Sequence, residues 1–312
     1  MAGKYVTCNL EEIVVGEPLP CNLFIFINFR FITYLLAGDS LSRDAYDRFD
    51  FKKVKTLFIL AADQARFEAW SAKAKALVKG ATGGPPMLPE IAKARDEARR
   101  KAMDIFQSGH PDKAIAQTLQ VSKNLVDEVM KHPYAVKSLS QLQGFSQGTV
   151  DHSVNVSVLS VYLAMQMGYS HAIILQQVGT GGLLHDVGKT QVKILDEDSV
   201  SVISEKMKAH PELGVKMLDA QQKVPNEVKL IVGQHHEHHD GTGYPKKLKG
   251  AQIYDLAKIV SIANVFDELV TAASGTLVER QRHAIKQLDG PEAHKFDPQK
   301  LEKSLKILKL GV

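Results

Sequence analysis

The segment at positions 150–167, VDHSVNVSVLSVYLAMQM, decides the fold of most of this chain. Its apolar residues form two stripes at helical spacing rather than one. A helix that is apolar on more than one face is buried among other elements. We therefore predict a buried central helix here, with stripes made of Val154, Val158, Val161 and Met165, and of Val156, Leu159 and Leu163.

Amphipathic patterns with the helical period surround this segment, and strand patterns nearly disappear after position 89. Such a run of helices around one buried helix is typical of a bundle. We predict an all-α helical bundle as the C-terminal domain, with further helices at 91–106, 111–130, 172–185, 201–220, 227–236, 254–273 and 298–308.

The first part of the chain has a different pattern. Short β-forming segments at 13–15, 23–35 and 54–60 alternate with turn-forming residues, and a helical pattern follows at 62–78. Positions 80–89 then concentrate glycine and proline, which interrupt regular elements. We predict two domains, a small N-terminal α+β accessory or regulatory domain at 1–84 and a helical domain at 85–312.

The composition excludes several classes of protein. With 312 residues, 44% of them hydrophobic, and a net charge of +4, the chain is globular and has no charge excess that favours nucleic acid or an anionic membrane. Its most apolar stretch, 23–37, is too short to span a bilayer. Cys8 and Cys21 are too few for a disulfide framework. We expect a cytoplasmic protein without nucleic-acid or membrane partners.

Histidines cluster in the C-terminal two thirds of the chain, at the ends of several predicted helices. An imidazole beside a carboxylate offers two ligands to one divalent ion, and the second carboxylate oxygen can bridge to another ion. Ligands from different helices are how bundle cores build dinuclear sites. One such histidine alone is more often a surface or hydrogen-bonded core residue. Together they indicate a metal site: His152, His185-Asp186, His210 and His235-His236.

A histidine-rich loop can also bind metal adventitiously at a protein surface. The segment 235–245, HHEHHDGTGYP, does not fit that alternative well. Gly241, Gly243 and Pro245 shape a turn directly after the candidate ligands, which indicates a built loop.

Three motifs together closely resemble the HD-GYP family, a branch of the HD phosphohydrolase superfamily. They are His-Asp-Val-Gly-Lys at 185–189, His210-Pro, and His235-His-Glu followed by Asp240-Gly-Thr-Gly-Tyr-Pro. The resemblance extends over 138–298, about half the chain. It implies a helical bundle with two or three metal ions, often iron or manganese. It also implies hydrolysis of cyclic di-GMP or a related cyclic dinucleotide by a metal-bound hydroxide.

The resemblance also implies roles for individual residues. One ion would be held by His152, His185 and Asp186, and the other by His210, His235 and His236, with the Asp186 carboxylate bridging them. Asp186 and Lys189 would be catalytic, with the Lys189 ammonium against a substrate phosphate. The expected substrate contacts are Lys189, Asp240, Gly243 and Tyr244.

The last metal ligand is the first departure from the family pattern. Where the family has Ala-Asp-Val-Phe-Asp-Ala-Leu, this chain has Ala263-Asn264-Val-Phe-Asp267-Glu-Leu. The Asn264 carbonyl oxygen can bind a metal, but it is neutral and weaker for a hard cation. Asp267, one helical turn on, is a substitute ligand or a structural carboxylate. We place Asn264 ahead because the register of the surrounding apolar residues favours it.

Other departures concern a third metal and the substrate. Gly148 stands where members with a third metal have glutamate, so we expect two divalent ions, iron first, with manganese or zinc as alternatives. His238-His239 replaces the usual Arg-Trp, and 274–277 replaces Arg-Pro-Tyr-Arg.

The sequence therefore leaves two functions open. The first is a cyclic dinucleotide phosphodiesterase. The alternative is a degenerate HD-GYP module that keeps its metals and acts as a cyclic dinucleotide sensor or a protein-interaction domain. A protein partner would bind through the N-terminal domain or the Gly-Tyr-Pro loop.

Overall fold

A computed structural model describes residues 4–14, 17–27, 30–41, 45–46, 49, 54–80, 89–107, 111–132, 148–195, 197–221 and 223–311. It has a small N-terminal sheet followed by a helical bundle, as the sequence predicts. The predicted domain boundary after residue 84 lies outside the described residues. Among the described residues, no helix combines the length and apolar character that crossing a bilayer requires.

The N-terminal sheet has four antiparallel strands in the order β1-β4-β2-β3. They are β1 (Tyr5–Asn9), β2 (Leu23–Ile27), β3 (Arg30–Leu35) and β4 (Thr56–Leu60). On β4, Leu57 and Ile59 are buried while their neighbours are more exposed, the alternation of a strand with one face on a core. A 3-10 turn at Ala61–Asp63 then leads into helix α1 (Gln64–Gly80).

One strand prediction in this region was wrong. The predicted strand at 13–15 is absent at Ile13 and Val14, and residue 15 lies outside the described part. A 3-10 helix at Leu10–Glu12 ends with Ile13 N–H donating to Leu10 O, so Ile13 enters the core from a turn. The β-forming segment at 23–35 is confirmed as strands β2 and β3, which pair antiparallel.

The bundle is built around the helix at Thr149–Gln166, which matches the predicted central helix and is buried along nearly its whole length. It packs against the helices at Pro89–Gln107, Ala172–Leu184 and Asp255–Ala272. The helices of the bundle are α2 (Pro89–Gln107), α3 (Pro111–Lys131), α4 (Thr149–Gln166), α5 (Ala172–Leu184), α6 (Val200–Met207), α7 (His210–Asp219), α8 (Asn226–Gln234), α9 (Asp255–Ala272), α10 (Leu277–Leu288) and α11 (Pro298–Leu310).

The predicted helix at 201–220 is two helices, α6 and α7. Pro211 has no backbone N–H, and its ring would clash with the carbonyl of Met207 in a continuous helix. The chain therefore ends α6 at Met207 and restarts with Pro211 in the first turn of α7. This break places His210 at a helix start.

Helix α10 was not predicted. Its beginning carries a capping box, in which Glu279 N–H donates to Thr276 Oγ1 and Thr276 N–H donates to Glu279 Oε2 at 2.8 Å. The Thr-x-x-Glu pattern at 276–279 was the available signal. The charged and polar residues that follow, ERQRH at 279–283, obscured its apolar stripe.

Candidate metal centre

Four helix ends bring the predicted histidine and Asp186 ligands together. His152 lies in the first turn of α4, and His185-Asp186 follows α5 directly. The remaining ligands are His210 at the start of α7 and His235-His236 after α8. Their ligand atoms form two groups, each within 4.8 Å, which share Asp186: His152, His185 and Asp186, and Asp186, His210, His235 and His236.

Three of these rings are held in one tautomer by carbonyl groups three residues earlier. Nδ1 of His185, His210 and His235 lies 2.7, 2.7 and 2.8 Å from the carbonyl oxygens of Gly182, Met207 and Val232. A carbonyl oxygen only accepts, so each Nδ1 carries the proton that it donates. Each Nε2 therefore keeps a lone pair, which points into the cluster. Metal-binding histidines have the same arrangement, in which the other ring N–H donates to a carbonyl or carboxylate.

Two of the lone pairs face each other. Nε2 of His210 lies 3.2 Å from Nε2 of His235. Burial lowers the pKa of His210 to about 4 and that of His235 well below its usual range, so both rings are neutral at pH 7. With both protons committed at Nδ1, neither Nε2 donates to the other. The contact is repulsive unless a cation shares the two lone pairs.

The Asp186 carboxylate lies between the two histidine groups. Oδ1 is 3.3 Å from Nε2 of His210, and Oδ2 is 3.3 Å from Nε2 of His185 and 2.7 Å from Nζ of Lys189. Burial alone would raise the pKa of Asp186, but His185 and Lys189 outweigh it and hold this pKa well below its usual range. Asp186 is therefore an anion with one oxygen toward each group.

Three buried atoms at the centre have no hydrogen-bond partner among the described residues, Nε2 of His185 and both carboxylate oxygens of Asp186, although Oδ2 forms an ion pair with Lys189. Buried polar atoms without partners are rare and costly in native proteins. All three atoms are metal-ligand types, and they lie in a cluster of imidazoles around one carboxylate. The residues present therefore fit divalent metal ions, and imidazole with carboxylate suits iron, manganese or zinc.

The structure places Asn264 and Asp267 on opposite sides of the His152 ring. Oδ1 of Asn264 is 2.8 Å from Nε2, on the side of the cluster. Oδ2 of Asp267 is 2.7 Å from Nδ1, and its Oδ1 accepts from Asn155 at 3.1 Å. Asp267 thus lies outside the two ligand groups and holds the His152 ring. Burial would lower the pKa of His152, but the Asp267 hydrogen bond and charge outweigh it and raise this pKa.

Of the predicted substrate contacts, the structure brings Tyr244 and Gly243 to the cluster. The Tyr244 ring stacks on the partly buried His236 ring, with centroids 4.6 Å apart. Tyr244 N–H donates to the His236 carbonyl oxygen at 3.0 Å. A Cβ on Gly243 would lie 2.5 Å from that oxygen, so only glycine permits this close return of the loop. Burial also lowers the pKa of His236 well below its usual range.

Asp240 is the predicted substrate contact that the structure does not bring to the cluster. Its Oδ1 accepts from the backbone N–H and the hydroxyl of Thr242, at 2.8 and 2.7 Å. These hydrogen bonds lower the pKa of Asp240. In this structure Asp240 shapes the loop.

Sequence reasoning missed Glu237, the carboxylate that fastens this loop. Its side chain is buried, and Oε1 and Oε2 accept from the backbone N–H groups of Lys246 and Leu248 at 2.7 and 2.8 Å. The sequence signal for this role was a glutamate directly after two candidate ligands, at a helix end followed by a loop whose backbone N–H groups need hydrogen-bond acceptors.

Replacing Glu237 with glutamine tests this role. We expect Glu237→Gln to lower the free energy of unfolding by about 2 kcal/mol. The glutamine amide has only one accepting oxygen, so its NH₂ group would face one of the two backbone N–H groups that the carboxylate now binds. Hydrogen exchange at the amides of Lys246 and Leu248 should become faster. The matched control is Glu205→Gln, an exposed carboxylate that pairs with Lys208. Unchanged exchange in Glu237→Gln would contradict the role.

The His-Asp turn and α7 approach each other at Gly188. After Asp186, the chain forms a 3-10 helix at Val187–Gln191 that packs on α7. A Cβ on Gly188 would lie 2.0 Å from the His210 carbonyl oxygen and 2.4 Å from the Gly214 nitrogen. Glycine at this position therefore lets His210 and Asp186 lie side by side.

Arginines lie near the acidic residues at the His152 end. Arg99 Nε donates to Asp151 Oδ1 at 2.5 Å. Burial lowers the pKa values of Arg95 and Arg280, and carboxylates act against this lowering, Asp151 foremost at Arg95 and Glu17 foremost at Arg280, with a smaller contribution from Asp267 at both. These cations therefore balance the carboxylates behind His152.

Comparisons with known proteins agree with this architecture. The family model described as HD domain matches residues 115–299, more than half of the chain. This range contains all six candidate histidine and aspartate ligands. A solved structure, the HDG"Y"P protein Bd1817 from Bdellovibrio bacteriovorus, has 25% sequence identity and a TM-score of 0.59. The match covers 98% of this chain and 99% of that one.

Two characterised relatives share part of the sequence. The cyclic di-GMP phosphodiesterase PA4108 of Pseudomonas aeruginosa is 32% identical over 210 residues, 65% of this chain and 50% of that protein. The 3'3'-cGAMP-specific phosphodiesterase 1 of Vibrio cholerae is 30% identical over 154 residues, 47% of this chain and 34% of that protein. The chain spans about half the length, or less, of the curated relatives it matches. From its matched family, its fold and its motifs, the chain belongs to the HD domain family, in the HD-GYP branch.

Proposed function

We propose that this protein is a metal-dependent phosphodiesterase that hydrolyses cyclic di-GMP or a related cyclic dinucleotide. The observation that carries the proposal is the position of Asp186, with one carboxylate oxygen toward each of two groups of inward-facing imidazoles. The substrate class is supported by the names of the relatives, which are phosphodiesterases for cyclic di-GMP and 3'3'-cGAMP.

The proposed cofactor is a pair of divalent ions, iron first, with manganese or zinc as alternatives. His152, His185, Asp186 and Asn264 would hold one ion, and Asp186, His210, His235 and His236 the other. Such ions supply Lewis acidity for phosphoryl oxygens and activate water near neutral pH. The protein's own part is to orient the histidines, which the carbonyl partners of the Nδ1 atoms of His185, His210 and His235 support.

Lys189 is the proposed contact for a substrate phosphate. Its Nζ lies 2.7 Å from Asp186 Oδ2, and its side chain is 26% exposed, so the ammonium stands between the buried cluster and solvent. When bound, the ions would share the Asp186 charge, and the Lys189 ammonium would serve as a point charge for an incoming phosphate. Tyr244 keeps the His236 ring in place and would present its other face to the substrate. The role of Asp240 in substrate binding stays a prediction.

The experiment is turnover of cyclic di-GMP and 3'3'-cGAMP by the metal-loaded full chain and by Lys189→Met. We expect the variant to lose about a hundredfold in turnover, because one cation at the transferred phosphoryl group is lost. Its ion content should stay unchanged. The matched control is Lys193→Met, an exposed lysine shortly after the same turn, with wild-type rates.

Two outcomes would count against the proposal. Wild-type rates in Lys189→Met would remove the role of this lysine. A wild-type chain that binds both ions and a cyclic dinucleotide without turnover would favour the sensor function instead. The protein partner expected for the N-terminal domain or the Gly-Tyr-Pro loop stays a prediction.

A further inference from the structure

The side chain of Asn264 lies between His152 and Glu268. Its Oδ1 faces Nε2 of His152 at 2.8 Å, and its Nδ2 donates to Oε1 of Glu268 at 3.1 Å. An amide has one accepting end and one donating end, so a carboxylate partner at one end determines which atom faces the other way. With Glu268 accepting from Nδ2, the carbonyl oxygen of this buried amide points into the cluster.

Glu268 also brings a negative charge to this end of the cluster. In the stretch 263–269 the chain has asparagine where the HD-GYP pattern has aspartate, and glutamate where it has alanine. Positions 264 and 268 are four residues apart on α9 and share one face of the helix. The negative charge that position 264 lacks, compared with the family pattern, is thus present one helical turn later at position 268. Glu268 is exposed, and its carboxylate contacts the Asn264 amide that lies directly against the His152 ring.

We propose that Glu268 is a positioning residue of the His152 metal site, which turns the Asn264 carbonyl oxygen toward the ion and restores the missing negative charge nearby. The inference rests on the proposed metal site and deepens it. It explains how a neutral asparagine serves at this position. Outer partners of this kind change metal affinity by about 10–100-fold when they are removed.

The test is Mn²⁺ titration of metal-free full chain by calorimetry, for wild type, Glu268→Gln, Glu268→Ala and the double variant Asn264→Asp with Glu268→Ala. We expect Glu268→Ala to weaken one of two binding events about 10–100-fold and to leave the other unchanged. Glu268→Gln keeps an acceptor but no charge, so its loss should be smaller. The double variant should recover wild-type affinity, because it restores the charge at position 264.

The control is Glu302→Gln on α11, an exposed glutamate paired with Lys306, which should titrate as wild type. Thermal unfolding of each metal-free variant checks that α9 is intact. Two Mn²⁺ sites in wild type, with unchanged affinities in Glu268→Ala, would overturn the inference and leave the proposed function standing. A wild-type chain that binds no ion would overturn both. Failure of the double variant to recover affinity would refute the charge exchange between positions 264 and 268.

Discussion

The Asp186→Asn variant is expected to remain folded, to bind fewer than two ions per chain, and to lose roughly 10³-fold or more in cyclic dinucleotide hydrolysis. Asp186 is the one side chain shared by both ligand groups. An amide has a single accepting oxygen and no charge, so it cannot serve both groups at once. Circular dichroism checks the fold, elemental mass spectrometry counts the ions, and the rate is measured on the same preparation.

Asp289→Asn is the control for this variant. Asp289 is an exposed carboxylate that pairs with Lys309, far in the chain from the ligand groups. It should keep the ion content and the rate of wild type. An Asp186→Asn protein with two ions and a rate within tenfold of wild type would contradict the bridging role.

A methyl group at Gly188 is expected to destabilise the protein by about 3 kcal/mol, the upper part of the usual range for overpacking. A Cβ there would lie 2.0 Å from the His210 carbonyl oxygen and 2.4 Å from the Gly214 nitrogen. Both are backbone atoms, so relief requires that α7 moves away from the His-Asp turn. His210 moves with it, and we expect the metal-loaded Gly188→Ala protein to lose one ion as well.

Urea unfolding and ion counting measure the two effects together. Gly311→Ala is the matched control, because a Cβ there would meet nothing closer than 3.6 Å and the backbone has an ordinary negative φ. Equal unfolding midpoints for Gly188→Ala and wild type would show that α7 does not depend on this close approach.

The grouping of the six candidate histidine and aspartate ligands could be predicted because their signals are local. His185-Asp186 and His235-His236 are adjacent pairs, and helical periodicity places each pair at a helix end. Helix ends leave carbonyl groups without helical partners, and these are the groups that orient the rings of His185, His210 and His235. A bundle then brings such ends together.

The sequence placed Asn264 ahead of Asp267 as the last ligand, but it could not show what each residue contacts. The two residues are one helical turn apart, so spacing permits either one to face the cluster. The difference depends on which side of the His152 ring each one contacts, and that is set by the packing of α9 against α4. Glu237 was missed for a similar reason, since its partners are backbone N–H groups of a loop that returns in space.

The α-helical domain was predicted better than the N-terminal sheet. Long buried helices such as α4 carry their pattern over several turns. The strand β1 has polar Thr7 and Asn9 and a single buried residue, Cys8, so its sequence carries little strand pattern. Its extended conformation is stabilised by antiparallel pairing with β4. Strand assignment depends on such cross-strand neighbours more than helix assignment does.

The central claim is that one carboxylate joins two metal sites in a hydrolytic centre. The most direct test is elemental mass spectrometry of the full chain purified without oxygen, with cyclic di-GMP hydrolysis measured on the same sample. We expect two divalent ions per chain, iron foremost, together with hydrolysis. A chain that carries no divalent ion when purified in this way, and acquires none on addition of iron or manganese, would contradict it.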